Sequence, residues 1–329
     1  MNGAMSLTVW SNHELRPAAQ ALFAEHVTRL GCRLIQSPRS SRSVLTEGTP
    51  DPTLADADVA YGQPAPEQVV DCPRLRWIAL STAGYTRYDR DDFRTAMRAR
   101  GTQVTNASAV FANPCAEHAL AMMLALTRDL PREVLNGAGP RAWNYTEGRY
   151  TIGTLTGSTV VVLGFGAIGR RLAELLAPFR TRLIGVRRHP RGDEGPEMVR
   201  TSEVHAVLPL ADHVVNCLPD SPETRQFCNA TFFNALRPHA CFYNIGRGTT
   251  VDQSALEQAL RTGRLAGAFL DALDPEPLPP EHPLWSTPHC HITPHLAGGH
   301  RGQDESLVRH FVANLERFLQ EKPLADRIV

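Results

Sequence analysis

Three polar residues of this sequence have the strongest capacity for chemistry, and each follows an apolar, strand-like run. They are Arg247, Glu276 in a proline-containing turn, and His295. Arginine binds a planar carboxylate through two parallel hydrogen bonds, and histidine exchanges a proton near neutral pH. A neighbouring carboxylate favours the protonated imidazole. Polar residues at the ends of strand-like runs lie where open α/β sheets bind ligands, although each residue taken alone also fits an ordinary surface or structural role.

A glycine motif lies between an apolar run and a helical pattern. The run 159–163 is followed by Gly164, Gly166 and Gly169, and the helical pattern starts directly after them. The first glycine permits a sharp turn, the second lets a pyrophosphate approach the backbone, and the third allows close helix packing. The helix N-terminus then faces the anion. A dinucleotide site that includes Ala167 and Ile168 is predicted, in preference to a tight connection without a ligand.

The residues after the next predicted strand bear on the choice of dinucleotide. About 20 residues beyond the glycines, where an NAD-specific site carries an acidic residue, the chain has Arg187 and Arg188. Two guanidinium groups can bind a 2′-phosphate, and we expect no carboxylate there to repel it. NADP(H) is therefore favoured, with NAD(H) possible. The alternative is that both arginines only face solvent.

The elements that position these motifs form two alternating patterns. From Ser6 to about Asn106, and again from Thr159 to about Pro294, short β-rich runs alternate with helix-like stretches. Residues 14–30 are one such helix-like stretch. Such alternation predicts parallel sheets covered by helices, an α/β fold. The strands for which the sequence predicts both ends are 7–10, 33–35, 59–61, 77–80, 104–106, 159–163 and 182–186.

Two further helices are predicted outside these sheets. Asn113 and Pro114 are typical of an N-cap and a first-turn proline, and they precede a long apolar stretch that reaches Leu130. A helix this apolar is expected to be buried between domains or subunits. Residues 300–319 carry apolar side chains at helical spacing and predict an amphipathic helix.

Composition disfavours several classes of protein. The 329 residues suggest about two domains, and 34 Lys and Arg against 34 Asp and Glu leave no net charge to attract nucleic acid or an anionic membrane. Seven cysteines without a CxxC pair indicate free thiols in a reducing cytoplasm. We expect no export signal, and no apolar run approaching the roughly 18 residues of a membrane span.

A histidine-rich segment near residue 290 raises the alternative of a metal site. The residues His289, Cys290, His291, His295 and His300 lie close together in sequence. Pro288 and Pro294 prevent the helix that would align His291 with His295, so we expect no metal.

Taken in order, four motifs resemble those of the D-isomer-specific 2-hydroxyacid dehydrogenases, and in particular those of the glyoxylate/hydroxypyruvate reductases within that family. The motifs are GFGAIG at 164–169, NIGRG at 244–248, DALDPEP at 271–277 and TPHLAGG at 293–299, and the resemblance covers nearly the whole chain. It implies that Arg247 binds the substrate carboxylate and carbonyl, that His295 is the acid/base, and that Glu276 is its partner. It also implies that Asp271 lies on the carboxamide or ribose side of the cofactor. The other implied contacts are backbone N–H groups of Ala83 and Gly84 at the substrate carboxylate, and Leu218, Pro219, Thr224, Ile245 and Gly246 along the cofactor cleft.

The resemblance also carries expectations for the fold and the reaction. A Rossmann-type doubly wound nucleotide domain, residues 116–297, is expected within a flavodoxin-like α/β substrate domain formed by residues 1–115 and the C-terminal helix region 298–329. The apolar helix after Pro114 implies a homodimer. The reaction implied is NADPH-dependent reduction of a small 2-keto acid to the D-2-hydroxy acid. The alternative is a nucleotide-sensing, corepressor-like binding protein of the same fold, which the complete Arg, Glu and His set disfavours.

Overall fold

The computed structural model describes residues 7–41 and 48–329, and the chain divides into two compact units. One unit is Met1–Phe111 with His300–Val329, and the other is Ala112–Gly299. The strands are β1 (Thr8–His13), β2 (Arg33–Ser41), β3 (Val59–Gly62), β4 (Trp77–Leu80), β5 (Gln103–Thr105), β6 (Thr159–Leu163), β7 (Arg182–Arg187), β8 (Glu197–Arg200), β9 (His213–Asn216), β10 (Cys241–Asn244), β11 (Gly267–Leu270) and β12 (Cys290–Ile292). The α-helices are α1 (Pro17–Arg29), α2 (Pro66–Val70), α3 (Asp91–Arg100), α4 (Ser108–Thr127), α5 (Leu130–Ala138), α6 (Tyr145–Thr151), α7 (Ala167–Leu176), α8 (Ala230–Ala235), α9 (Gln253–Arg261) and α10 (Gln303–Leu319).

Five parallel strands form the sheet of the first unit. Their order is β2-β1-β3-β4-β5, the 2-1-3-4-5 order of flavodoxin-like folds. Every residue of β3 and β4 is buried, as expected for parallel strands covered on both faces. The predicted flavodoxin-like α/β architecture is confirmed.

An aromatic cluster fixes the C-terminal helix to this sheet. Phe311 of α10 stacks on Trp77 of β4 with 5.2 Å between ring centroids, and it lies 4.6 Å from the ring of Tyr61 and 5.4 Å from that of Phe23. Aromatic contacts of this kind contribute about 0.5–1.5 kcal/mol each beyond the buried area. The amphipathic helix predicted near the C-terminus is confirmed, and it starts at Gln303.

Seven parallel strands form the sheet of the second unit. Their order is β12-β11-β10-β9-β6-β7-β8, which corresponds to 3-2-1-4-5-6 with one further strand when β6 is counted as the first. The direction of winding reverses between β6 and β9. Ligands of such sheets bind at the carboxyl ends of the strands beside this switch point. The Rossmann-type fold predicted from the glycine motif is confirmed.

The apolar helix α4 differs from its prediction in where it begins. It starts at Ser108, and Pro114 lies inside it rather than in its first turn. The side-chain oxygen of Asn106 accepts a hydrogen bond from the N–H of Ser108 at 3.2 Å, and this earlier residue supplies the N-terminal contact that was assigned to Asn113. Asn113 instead contacts Glu117 and Arg171, at 2.6 and 2.7 Å.

The expectation that no segment approaches the length of a membrane span was wrong. Among the residues that the structure describes, α4 alone is long and apolar enough by length and composition, with 20 residues and a mean hydropathy of 1.3 over 18 of them. Isolated polar residues such as Glu117 and His118 interrupt its apolar run without lowering the mean below that level. Core helices of soluble proteins meet the same criterion. Five of its residues are buried, Cys115, Ala116, Ala119, Met122 and Met123.

Candidate active site

The glycine motif forms the turn between β6 and α7 and fits the requirements of a dinucleotide. Gly164 has a φ of +81°, and a Cβ atom there would lie 2.8 Å from the carbonyl oxygen of Cys217. A Cβ atom on Gly166 would project into open space, whereas one on Gly169 would press on Val162 and Phe165 at 3.2 Å. The turn therefore needs its first glycine, leaves room for a ligand at the second, and packs tightly at the third.

The N-terminus of α7 is suited to an anion. Gly166 occupies the N-cap position without a side-chain cap, and the first turn has no acidic residue. The backbone N–H groups at Ala167, Ile168 and Gly169 therefore remain for a ligand, with the positive end of the helix dipole behind them. A pyrophosphate is the group that such a turn binds in Rossmann-type folds.

Buried asparagines hold the strand ends beside this turn. The Asn216 side chain, at the end of β9, donates to Asn244 Oδ1 at 2.9 Å and to Thr250 Oγ1 at 2.7 Å. Asn216 also accepts from the N–H of Leu218 at 3.1 Å, and its carbonyl accepts from the N–H of Ile245 at 3.1 Å. A Cβ atom on Gly246 would lie 2.7 Å from the carbonyl oxygen of Leu218, so the structure brings the predicted cofactor segments at 218 and 245–246 together.

The Thr224 hydroxyl closes the segment after Leu218. It donates to the carbonyl of Pro219 at 2.6 Å and accepts from the N–H of Ser221 at 2.9 Å. Pro219 and Thr224, both predicted for the cofactor cleft, are therefore part of one compact turn.

Arg187 is the last residue of β7, one position beyond the end of the predicted strand, and the expectation that no carboxylate lies near it was wrong. Arg187 Nη1 donates to Glu194 Oε1 at 3.0 Å, and only 2% of the Glu194 side chain is exposed. The loop after β7 returns toward the strand end, which brings a residue seven positions later onto the guanidinium. Arg188 lies 3.4 Å from Glu223, in a pair whose side chains are more than 60% exposed.

Arg247 follows β10 and is held by its own strand end. Its Nη1 donates to the carbonyl oxygen of Gly246 at 2.7 Å. Its own carbonyl accepts from Thr250 Oγ1 at 2.6 Å and from Asn244 Nδ2 at 3.2 Å. The backbone at Arg247 is therefore fixed by buried polar groups while the guanidinium stays partly exposed.

His295 and Glu276 form a direct pair. His295 Nδ1 lies 2.7 Å from Glu276 Oε2, and Glu276 Oε1 accepts from the N–H of Leu273 at 2.9 Å. Burial alone would raise the pKa of Glu276, but these hydrogen bonds and the positive charges of His295 and Arg247 outweigh it and hold that pKa below its usual value. Glu276 is thus an anion at neutral pH.

Asp271 supports the turn that carries His295. Its carboxylate is 2% exposed and accepts from Thr293 Oγ1 at 2.7 Å and from the N–H groups of Leu296 and Ala297 at 2.7 and 2.8 Å. The Asp271 carbonyl accepts from the N–H of His295 at 2.9 Å, and His295 has a φ of +52°. These contacts hold a histidine in a backbone conformation that L-residues rarely adopt. The implied contact between Asp271 and the cofactor stays a prediction.

Ala83 and Gly84 lie in the first unit, after β4. The carbonyl of Ala83 accepts from Asn106 Nδ2 at 2.7 Å, and that of Gly84 accepts from Thr82 Oγ1 at 2.6 Å. Within the described part of the chain, neither backbone N–H has a hydrogen-bond acceptor. Both N–H groups are therefore open to an anion, and their implied contact with the substrate carboxylate stays a prediction.

Metal-binding groups are scattered rather than clustered. Across residues 7–41 and 48–329, no three His, Cys, Asp or Glu side chains form a group that could hold an ion. Over the same residues, all seven cysteines are free thiols.

Known proteins with the same fold identify the family. A model of the D-isomer specific 2-hydroxyacid dehydrogenase NAD-binding domain matches residues 120–297, more than half of the chain. The chain belongs to the D-isomer specific 2-hydroxyacid dehydrogenase family. Human glyoxylate reductase/hydroxypyruvate reductase is 34% identical over 263 residues, which cover 77% of each protein.

Solved structures extend this similarity over the whole dehydrogenase. A family member from Xanthobacter autotrophicus Py2 in complex with NADPH and MES has a TM-score of 0.81 at 26% identity and covers 99% of this chain and 98% of its own. An NADPH-dependent glyoxylate/hydroxypyruvate reductase from Sinorhizobium meliloti, in complex with NADP and malonate, has a TM-score of 0.74 at 25% identity and covers 98% and 97%. The chain is thus an NAD(P)-dependent 2-hydroxyacid oxidoreductase, as the sequence motifs predict.

Sequence reasoning missed several residues of this dehydrogenase. His118 Nε2 lies 3.2 Å from Thr293 Oγ1 and 3.7 Å from Asp271 Oδ1, so α4 also touches the turn that carries His295. Asn216 and Asn244 hold the strand ends, and an asparagine that terminates an apolar strand was the available signal for both. No sequence signal linked His118 to Thr293, since the contact joins distant segments.

Proposed function

We propose that this dehydrogenase reduces a small 2-keto acid, glyoxylate or hydroxypyruvate, to the D-2-hydroxy acid with NADPH. The observation that carries the proposal is the His295–Glu276 pair at 2.7 Å. The human relative is named a glyoxylate reductase/hydroxypyruvate reductase, which supports this substrate class.

Each of the three side chains has a distinct task in this proposal. The nicotinamide cofactor, when bound, supplies the hydride. Arg247 binds the substrate carboxylate through its guanidinium and orients the carbonyl carbon. Because Glu276 occupies Nδ1, His295 uses Nε2 to donate a proton to the carbonyl oxygen, and the Glu276 anion stabilises the imidazolium form.

The preference for NADPH rests on the end of β7. Arg187 and Arg188 offer guanidinium groups where NAD-specific sites place an acidic residue. The Xanthobacter and Sinorhizobium structures were both determined with the phosphorylated cofactor. Both observations support NADP(H), and NAD(H) remains usable in this proposal.

The proposed reaction is tested by following oxidation of NADPH and NADH at 340 nm with glyoxylate, hydroxypyruvate, pyruvate, phenylpyruvate and 2-ketogluconate. We expect NADPH-linked turnover to be fastest with one of the first two. Cofactor binding without turnover of any keto acid would contradict the proposal and favour a nucleotide-sensing protein.

Two variants test the assigned roles. We expect His295→Asn to lower kcat by about 10³-fold because it removes the proton donor. We expect Arg247→Lys to lower kcat/KM by roughly 10²-fold because an ammonium cannot orient the carboxylate through two parallel bonds. Both variants should bind NADPH as the parent enzyme does. Full activity in either variant would refute its assignment.

We also propose that the enzyme is the expected homodimer, but that it pairs through α5 and the segment after it rather than through the apolar helix after Pro114. No residue of α5 is buried, and its apolar side chains Val134 and Leu135 are 70% and 67% exposed. Trp143, Tyr145 and Tyr150 are 92%, 61% and 82% exposed. Apolar surface of this extent supports an interface with a second copy of the chain.

A further inference from the structure

The loop that follows β7 carries an acidic residue outside every motif of the sequence. The carboxylate of Glu194 accepts hydrogen bonds from Arg187 Nη1 at 3.0 Å, from the N–H of Arg191 at 2.8 Å and from the N–H of Gly192 at 2.7 Å. Its side chain is 2% exposed, against 22% for Arg187. Arg187 therefore already holds an anion, and the chain itself supplies it.

We propose that Glu194 is an internal competitor for the 2′-phosphate of NADP(H). The carboxylate occupies the Arg187 guanidinium until the phosphate displaces it, and in this way Glu194 sets the selectivity between NADP(H) and NAD(H). This inference rests on the proposed role of Arg187 and extends it to a second residue.

Charge and access favour a competitor over a ligand of the ribose. A carboxylate that selects NAD accepts a hydrogen bond from the 2′-hydroxyl, but both oxygens of Glu194 are already used by three donors and the side chain is almost fully covered. A 2′-phosphate on Arg187 would lie within a few ångströms of this carboxylate, where like charges repel strongly. The guanidinium therefore binds one anion or the other.

The carboxylate is charged, and its loop can release it. Desolvation acts to raise the pKa of Glu194, but hydrogen bonds from Arg191, Gly192 and Arg187 outweigh it and hold that pKa below its usual value. Gly192 and Gly195 on either side have φ values of 86° and 87°, which glycine adopts without steric cost. Such residues can absorb the backbone change needed to move Glu194 away.

Arg188 gives an arriving phosphate a site without such competition. Its pair with Glu223 is 3.4 Å long, and the side chains are 62% and 64% exposed. Exposed pairs of this kind contribute little. Of the two carboxylates, Glu194 thus lies closer to its arginine and is more buried than Glu223.

The decisive experiment is equilibrium titration of the purified enzyme with NADPH and with NADH, read by cofactor fluorescence. Glu194→Gln keeps the shape of the side chain and an oxygen for the loop N–H groups but removes the charge. We expect its Kd for NADPH to fall by about tenfold, because the competing charge-assisted contact is lost, while the Kd for NADH stays within about twofold. Asp193→Asn removes the same charge from the neighbouring exposed residue and should change neither Kd by more than about twofold.

A double-mutant cycle separates this inference from the proposed function. If the competitor model holds, Glu194→Gln has no effect on NADPH affinity in the Arg187→Ala background. A weaker affinity for NADH in Glu194→Gln would overturn the inference and make Glu194 a ribose ligand, and unchanged affinities for both cofactors would overturn it as well. If Arg187→Ala alone leaves NADPH affinity unchanged, the proposed role of Arg187 fails. If it weakens NADPH binding but Glu194→Gln does not strengthen it, only the competitor fails.

Discussion

Individual hydrogen bonds fix the orientation of His295 and Glu276. His295 is fixed through Nδ1 by Glu276, and its backbone is fixed by the carbonyl of Asp271. Glu276 is anchored in turn by the N–H of Leu273. His295, the proposed proton donor, is therefore oriented from two sides before any substrate arrives, and in this proposal that orientation lowers the entropic cost of reaching the reactive geometry.

Replacing Glu276 tests this arrangement at the residue scale. We expect Glu276→Gln to lower kcat by about 10²-fold, because the imidazolium loses its anionic partner while the histidine stays in place. In the proposed mechanism, reduction uses the imidazolium form that Glu276 stabilises, so the pH at which the rate falls by half should move downward in the variant. The measurement is the pH profile of kcat for keto acid reduction.

Glu281→Gln, on an exposed turn close by in sequence, provides the control. It should leave both kcat and the profile unchanged. A Glu276→Gln enzyme with reduced kcat but an unshifted profile would argue against a role for Glu276 in stabilising the imidazolium.

The residue scale is also where sequence reasoning was least complete. Arg247, Glu276 and His295 were predicted from ordered motifs, and the structure places Glu276 and His295 in contact. Glu194 was missed because its approach to Arg187 depends on the path of an irregular loop with two glycines of positive φ. Motif spacing along a strand and helix predicts position, whereas a loop that folds back does not follow any period.

At the scale of elements, continuous apolar runs made several strands predictable from the sequence. The runs at 77–80 and 159–163 coincide with β4 and β6, because parallel strands covered on both faces are continuous apolar runs. The start of α4 was not predictable from Pro114, since a proline can also lie inside a helix if one carbonyl is left without its donor. Asn106, which contacts the first N–H of the helix, was assigned to the preceding strand.

The dimer prediction belongs to α5. We expect the enzyme to have a mass in solution of about twice 36.2 kDa, and Val134→Glu to shift it to the monomer because a charge would be buried in the interface. Light scattering coupled to size-exclusion chromatography measures this.

Leu210→Glu changes an apolar residue that is 40% exposed outside this segment and should remain dimeric. A parent enzyme that is monomeric would contradict the proposed pairing. A Val134→Glu variant that stays dimeric would place the interface on another surface.

At the scale of the whole molecule, each unit contains a histidine with a lowered pKa outside the proposed catalytic set, His13 half-buried and His213 buried. Burial lowers the pKa of His13 in the first unit to about 4, against the opposing influence of Asp304 and Glu14. Burial likewise lowers the pKa of His213 in the second unit to about 4, opposed by Asp212. His213 Nδ1 lies 3.0 Å from the hydroxyl of the buried Tyr243, so this histidine is neutral within a packed sheet.

These histidines predict how stability depends on pH. Below about pH 6.5 the unfolded chain protonates both, but the folded chain stays neutral until about pH 4, so the unfolded state binds more protons in this window. The free energy of unfolding should therefore fall as the pH drops from 6.5 to 4, by about 3 kcal/mol for each histidine. Carboxylates with lowered pKa values, such as Glu276, lose their contribution only at lower pH. The loss near pH 5 to 6 is thus expected from histidines with lowered pKa values rather than from carboxylates.

Urea unfolding at pH 7.5, 6 and 5, followed by tryptophan fluorescence, measures this loss. His213→Gln keeps a hydrogen-bonding side chain near Tyr243 but does not titrate, so the variant should lose less stability between pH 7.5 and 5 than the parent enzyme. His205→Gln replaces an exposed histidine and should follow the parent enzyme. Equal pH dependence in His213→Gln and the parent would mean that His213 does not stay neutral in the fold. Because the enzyme has two units, a flattened response confined to one of two unfolding transitions would assign that transition to the nucleotide-binding unit.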